Sequence, residues 1–258
     1  MNHLSKVLTF SFVFVLASLS FGQKVFFMGD VTDKNYVKKY KIEQVALLEV
    51  KTGSKKEPRA VIYQFDENGV LVEKRESEAS VLVTEFKYNK KGNLEKTVTK
   101  TDGDKVVSES ENSYDAQNRL KESVTSNGEV KTTEKVTWVD ETTKQTERTA
   151  GKETTKFLSV YDTKSRLIDE SFANGKSSTW HYDTEGSLIM KRMKGNGEIQ
   201  EVEQYIYDTS KRLSRIENGV YTKTFFYNEK GLLEMLKLED DNGKLISSER
   251  YEYVLKEK

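Results

Sequence analysis

The chain contains no cysteine. Disulfides, thiol catalysis and cysteine-ligated metals are excluded with it. It has one proline, Pro58, so every later segment is free of the residue that interrupts a β-ladder. Histidine is almost absent: beyond the first residues only His181 is found, between Trp180 and Tyr182, where it reads as an ordinary strand residue. There is no Gly-x-Ser-x-Gly, no His-Glu-x-x-His and no phosphate loop. Gly195-Asn196-Gly197 is a turn with no helix behind it. The acidic turn Glu239-Asp240-Asp241-Asn242-Gly243 lacks the ligand spacing of a calcium loop. Charge of one sign is also missing: 42 basic residues face 42 acidic ones, interspersed along the chain. No basic cluster marks a nucleic-acid face. No metal, cofactor or nucleic-acid partner is expected.

Long apolar runs are missing except at the start. Lys6 precedes the apolar stretch Val7 to Leu19, and Ser20-Phe21-Gly22 offers small residues for cleavage before Gln23. This is the pattern of a secretory signal over residues 1–22. The stretch is short for a membrane span, and an uncleaved N-terminal anchor is the other reading. No cysteine follows it, which excludes a lipoprotein anchor. An exported chain without cysteine points to a Gram-negative bacterium, with the protein periplasmic, on the outer surface or extracellular. The leader removes one Lys and no acid, so 41 basic groups would face 42 acidic ones, a net charge of −1.

What the chain does have is a phrase. An aromatic is followed by Asp or Asn, then polar residues or Gly, then Leu or Val. It opens at Phe65, Tyr88, Tyr114, Tyr161, Tyr182, Tyr207 and Tyr227, with a weakened copy at Trp138 and a further start at Tyr253. Counting Trp138, the spacings to Tyr227 are 23, 26, 24, 23, 21, 25 and 20 residues. A period in this range marks a repeat architecture. The Asp or Asn can hydrogen-bond backbone two residues on, and the later Gly, Asn or Ser tolerates a positive φ. Midway between phrases lie Asp102-Gly103, Asn127-Gly128, Asn174-Gly175, Asn196-Gly197, Asn218-Gly219 and Asn242-Gly243. These read as type I′ hairpin turns.

Between turns the chain alternates, as in Leu82, Thr84, Phe86 and Tyr88 against Val83, Glu85 and Lys87. Period two with aromatic and β-branched residues means strand. Each repeat is then two antiparallel strands of about six to nine residues, and the whole an all-β antiparallel meander of roughly 16 to 18 strands. The expected form is an elongated, curled sheet of β-hairpin repeats over residues 59–258. Residues 23–58 are assigned as an N-terminal capping segment, in which Ile42 to Val50 fits either a strand or a short helix. The Thr-rich segment 124–156 is read as strands. Mean hydropathy is −0.71, which implies little buried volume. A single layer would expose its apolar face, so it should curl, close or find a partner.

The phrase Tyr-Asp-x-x-Gly/Ser/Asn-x-Leu with Asn-Gly turns between copies resembles the YD repeat of bacterial Rhs-type proteins. The resemblance runs from about Ala60 to Tyr253 and is clearest at Tyr114 to Leu120, Tyr161 to Leu167, Tyr182 to Leu188 and Tyr207 to Leu213. It implies a spiralling β-strip, which in large members forms a shell around a toxin domain. This chain has too few repeats to enclose such a cargo, so that role is not implied here. It looks like a small exported member of the kind found in Bacteroidetes.

Three functions are in competition. The first is an exported, non-enzymatic binding or structural module of the cell envelope. Aromatics on a flat sheet face would suit carbohydrate, and the candidates are Trp180, Tyr182, Tyr205, Tyr207, Phe225 and Tyr227, which are equally the expected core. The second is a protein-interaction scaffold of an envelope or secretion assembly, working through an open strand edge. The third is a hydrolase with paired carboxylates, which 42 acidic residues neither favour nor localise.

Overall fold

The computed structural model describes residues 33–53, 58–77 and 80–256. The expected signal segment 1–22 lies outside them. One short helix, α1 (Lys34–Tyr40), precedes a run of strands: β1 (Ile42–Lys51), β2 (Arg59–Phe65), β3 (Leu71–Ser77), β4 (Val81–Tyr88), β5 (Leu94–Thr101), β6 (Val106–Tyr114), β7 (Leu120–Asn127), β8 (Val130–Trp138) and β9 (Thr143–Ala150). The run continues with β10 (Glu153–Tyr161), β11 (Leu167–Phe172), β12 (Ser177–Tyr182), β13 (Leu188–Gly195), β14 (Glu198–Tyr207), β15 (Leu213–Glu217), β16 (Tyr221–Tyr227), β17 (Leu233–Asp240) and β18 (Leu245–Leu255). The ambiguous segment after residue 41 is a strand, and the Thr-rich segment is β7 to β10.

Every strand pairs antiparallel with its neighbour in sequence, and β1 pairs with both β2 and β18. The 18-stranded sheet is therefore a closed barrel rather than the open, curled sheet expected from the repeat. Closure satisfies both edges at once, which is the physical gain over a curl. Eighteen strands at the usual spacing and tilt give a circular section about 18 Å in radius, beyond what one layer of inward side chains can fill.

All phrase turns lie at one end of the barrel, and all Asn-Gly-type turns at the other. In each phrase the Asp or Asn carboxyl or amide oxygen caps its own turn. Asp162 Oδ1 accepts from the N–H of Lys164 and of Arg166, both at 2.9 Å, and Asn89, Asp208 and Asn228 do the same. The third residue after it takes a positive φ: Gly69, Gly92, Asn118, Ser165, Gly186, Lys211 and Gly231. At the other end both central residues are at positive φ only for Asn196-Gly197, so type I′ geometry holds there and not at the other expected positions. Asp102-Gly103 instead places Asp104 in the left-handed region.

Register partners share a face, and the pairing breaks by one residue at the phrase aromatic, for example between Gln64 and Phe65, Lys87 and Tyr88, and Ile206 and Tyr207. The bulge turns both the aromatic and the following Leu to the same side. Followed around the barrel, that side carries the buried Val45, Val61, Phe65, Phe86, Val136, Ser159, Tyr161, Tyr205 and Ile216. It is the interior. The outer face carries Glu85, Lys87, Lys96, Lys100, Glu109, Glu111, Lys156, Arg215, Lys237, Arg250 and Glu252 by the same registers. Exposed apolar residues such as Leu48, Phe226 and Val254 are scattered among them.

The phrases are joined in series. The phrase aromatic of one repeat donates its polar hydrogen to the Leu carbonyl of the repeat before. Tyr88 donates to Leu71, Tyr114 to Leu94, Trp138 Nε1 to Leu120, Tyr182 to Leu167, Tyr207 to Leu188, Tyr227 to Leu213 and Tyr253 to Leu233. Where the phrase ends Arg-Leu, the Arg pairs with its own Asp and lies over the next aromatic. Arg119 covers Trp138, Arg166 covers Tyr182 and Arg212 covers Tyr227, at 4.9, 4.5 and 4.7 Å from the ring centres. The weakened copy at Trp138 thus keeps its place in the ladder.

Helix α1 lies against the phrase-end rim beside β1. Asp33 caps it by accepting from the Tyr36 N–H at 2.9 Å, and Lys41 ends it in the left-handed region at φ 53°. Val37 packs with Ile42, Val45, Phe65, Leu71, Phe86, Leu94, Leu232 and Leu233. A Cβ added to Gly69 would sit 3.3 Å from the Lys34 carbonyl oxygen and the Lys38 nitrogen. On the other side Tyr36 Oη accepts from the Leu233 N–H at 3.1 Å. The helix so bridges the β2–β3 turn and the start of β17. The segment given a capping role supplies this helix and the strand that joins β18 to β2.

Candidate functional site

The six aromatics singled out in the sequence all face the interior. Trp180, Tyr182, Tyr207 and Phe225 pack around the buried Leu188, Tyr205, Leu213 and Ile216. Tyr227 joins the neighbouring cluster under α1, and Phe225 also touches that cluster. They come together because β12, β14 and β16 are the even strands of consecutive repeats, each ending in a phrase aromatic preceded two residues earlier by another ring. The flat exposed sheet face imagined for them does not exist, because the sheet is closed.

Their polar tips differ in use. The hydroxyls of Tyr182, Tyr207 and Tyr227 belong to the ladder, at 2.9, 2.9 and 2.8 Å from their carbonyls. Burial pushes Tyr182 and Tyr207 up to about 12. Tyr205 donates to Glu203 Oε2, and Tyr221, from β16, donates to Glu203 Oε1, each at 2.8 Å. Burial first, then the Glu203 charge, drives both phenols well above their ordinary value. Trp180 differs from Trp138: its indole N–H has no place in the ladder, and the Lys191 ammonium lies 5.8 Å from its ring centre.

Below the aromatic level the interior is polar. Arg59 bonds Glu49 and Glu76, and Lys74 bonds Glu76. Arg148 pairs with Glu134, and these side chains keep 29% and 16% of their surface exposed, so water reaches the wall. The Thr84 and Thr99 hydroxyls bond at 2.9 Å, and Thr125 donates to Ser110 at 3.2 Å. On β11, burial raises the Glu170 carboxyl above its ordinary value, and the Ser159 hydroxyl at 3.3 Å offsets part of that.

Across β12, β13 and β14 the registers place Trp180 opposite Lys191 and Lys191 opposite Glu203. Lys191 and Glu203 escaped the sequence reading, since charged residues occur on nearly every strand. Their inward parity follows only once the bulge positions are known. A separate recess of about 490 Å³ lies at the phrase end, lined by Asn228, Glu229, Lys230, Leu232, Glu234, Tyr251, Glu252, Tyr253 and Leu255. Among the described residues no group of His, Asp and Glu has the arrangement of a metal site.

No protein-family model matches this chain, and no curated protein matches it in sequence. Solved structures do align. A complex of TcdB2 and TccC3 with Cdc42 is 12% identical with a TM-score of 0.35, covering 76% of this chain, which spans 15% of that chain. The Photorhabdus luminescens Tc holotoxin pore is 11% identical with a TM-score of 0.34, covering 80% of this chain and 15% of its own. A porin-like protein from Bacteroides uniformis ATCC 8492 is 7% identical with a TM-score of 0.37, covering 83% of this chain and 98% of its own.

Proposed function

We propose that this protein is an exported, non-enzymatic binding module of the cell envelope, a barrel that stands in water and takes carbohydrate as its ligand. The observation that carries the reading is the division between the two faces of the wall. A lipid-facing barrel needs an outward apolar band about 25 Å tall between aromatic girdles. Here the outer face carries Lys, Arg, Glu or Asp on most strands, which interrupts any apolar band, although β1 and β2 present Leu48, Val50 and Ile62 there; the six candidate aromatics point inward and Phe226 outward. No described helix is long and apolar enough to cross a membrane. Aromatic rings bordered by hydroxyl, carboxylate and ammonium groups are the surroundings in which sugar rings stack and their hydroxyls are bonded. Export rests on the N-terminal pattern and would leave a chain beginning at Gln23.

The experiment is a glycan and peptidoglycan binding screen on the purified protein, with Trp180→Ala beside it. Binding that weakens in a Trp180→Ala protein of unchanged circular dichroism supports the reading. Absence of binding to every glycan overturns it and moves the weight to protein partners, the alternative reading, to be sought by pull-down from envelope fractions.

A further inference from the structure

The interior contains cross-strand neighbours of opposite charge, and they are not treated alike. Glu49 lies opposite Arg59, and the two are bonded. Glu134 lies opposite Arg148, and they are bonded too. Lys191 lies opposite Glu203, and here, among the described residues, no ion pair forms. Glu203 is instead gripped by two tyrosine hydroxyls, one on its own strand and one on β16. Lys191 stands near the outer limit of contact with the Trp180 ring.

An opposed pair on adjacent strands is within reach of closing, and among the described residues the outward-facing Glu122 and Lys135 are likewise opposed without an ion pair. Holding it open keeps an ammonium with free donors beside a carboxylate with free lone pairs, next to an indole face and an uncommitted indole N–H. The aromatic Phe225 and the half-exposed Lys223, whose ammonium lies 5.3 Å from the Tyr221 ring centre, continue the same wall. From β12 to β16 the inward charges are Lys191 and Lys223 against Glu201 and Glu203, and burial favours the neutral form of Glu170, which faces Lys191 from β11, so the wall suits a neutral ligand rather than an anion or a cation. Helix α1, seven residues long, covers only the arc of the phrase-end rim between the β2–β3 turn and the start of β17.

We propose that Trp180, Lys191 and Glu203 form a saccharide subsite inside the barrel, taking a neutral sugar ring. The ring stacks on Trp180, and its hydroxyls donate to Glu203 and accept from Lys191. The assignment rests on the carbohydrate reading above and adds where the sugar sits and what charge it bears.

Calorimetric titration tests it, with cellotetraose and tetra-N-acetylchitotetraose as neutral probes and tetragalacturonate as an anionic one. Lys191→Met removes the ammonium at similar side-chain length, and Glu203→Gln keeps an acceptor for a tyrosine. Each should weaken binding of a neutral probe at least tenfold without lowering the unfolding midpoint by more than a few degrees. Phe226→Ala, an outward-facing ring on the same wall, should change nothing. A neutral probe that binds equally to the Lys191 and Glu203 variants and is lost in Phe226→Ala would overturn the interior subsite while sparing the carbohydrate reading. Binding of the anionic probe alone would overturn the neutral assignment. Binding of no probe would overturn this subsite and the carbohydrate reading together.

Discussion

The tyrosine of each phrase performs two tasks that a phenylalanine could only half fulfil. Its ring fills the interior beside the Leu, and its hydroxyl reaches the carbonyl of the repeat before. Tyr207→Phe keeps the ring and leaves the Leu188 carbonyl without its partner, so it should cost about 1 kcal/mol, read as a lower urea midpoint with an unchanged slope. The same burial sets an alkaline limit. Tyr88, Tyr182 and Tyr207 are pushed up to about 12, above the value of about 10 in the unfolded chain. A folded value above the unfolded one means that the stabilisation is complete below pH ~10 and lost as the pH rises through the folded value. Absorbance at 295 nm should therefore show tyrosines ionising together with loss of ellipticity, rather than one by one on an intact barrel.

At the scale of the element, the phrase turn is an Asp or Asn bonded to the N–H groups that follow it. Burial works against the Asp183 carboxylate, but the N–H groups of Ser187, Gly186 and Glu185 hold it below its ordinary value. A lowered folded value contributes stability above the unfolded pKa and loses it as the pH falls through the folded one. Asp183→Asn keeps the acceptor, as Asn89 and Asn228 do naturally, but not the charge, so it should make the acid limb of a pH–stability curve shallower by lowering stability slightly at neutral pH and leaving it unchanged in acid. Two turn glycines separate backbone strain from contact. Gly92, at φ 81°, has open space around an added Cβ, and Gly92→Ala should cost about 1–2 kcal/mol for the left-handed backbone. Gly69, at φ 72°, meets α1, so Gly69→Ala should cost more and should release α1 to limited trypsin digestion at Lys34, Lys38 and Lys39.

At the scale of the molecule, the local grammar was legible and the global closure was not. The repeat, the strand alternation and the pairing of Tyr with Leu follow from residues a few positions apart, and each reappears in the barrel. The left-handed positions at Asn118, Ser165 and Lys211 were only partly readable, since Lys carries no turn signal of its own. The Asn-Gly pairs marked turns correctly but not their type, because the strand register decides which two residues are central: at Asn127-Gly128 the Asn still pairs with Val130, and Gly128-Glu129 make the turn. Closure depends on strand number and on β1, whose apolar spacing at Ile42, Val45 and Leu48 fits a helix as well as a strand. The candidate aromatics were legible as a group for the same reason that they were legible as core. Lys191 and Glu203 were not, because nothing local distinguishes an open charge pair from a closed one.

Closure of β1 onto β18 is the claim from which the interior, the ladder and the proposed subsite all follow. The chain has no cysteine of its own, so a single engineered pair reports on it without background. Leu48 and Arg250 are register partners on the outer face of β1 and β18. The doubly substituted protein, Leu48→Cys with Arg250→Cys, should oxidise to one intramolecular disulfide, seen as a faster-migrating monomer on a non-reducing gel and an unchanged elution volume. Free thiols after mild oxidation, or disulfide-linked dimers, would show that the two strands do not meet within one chain and would contradict the closed barrel.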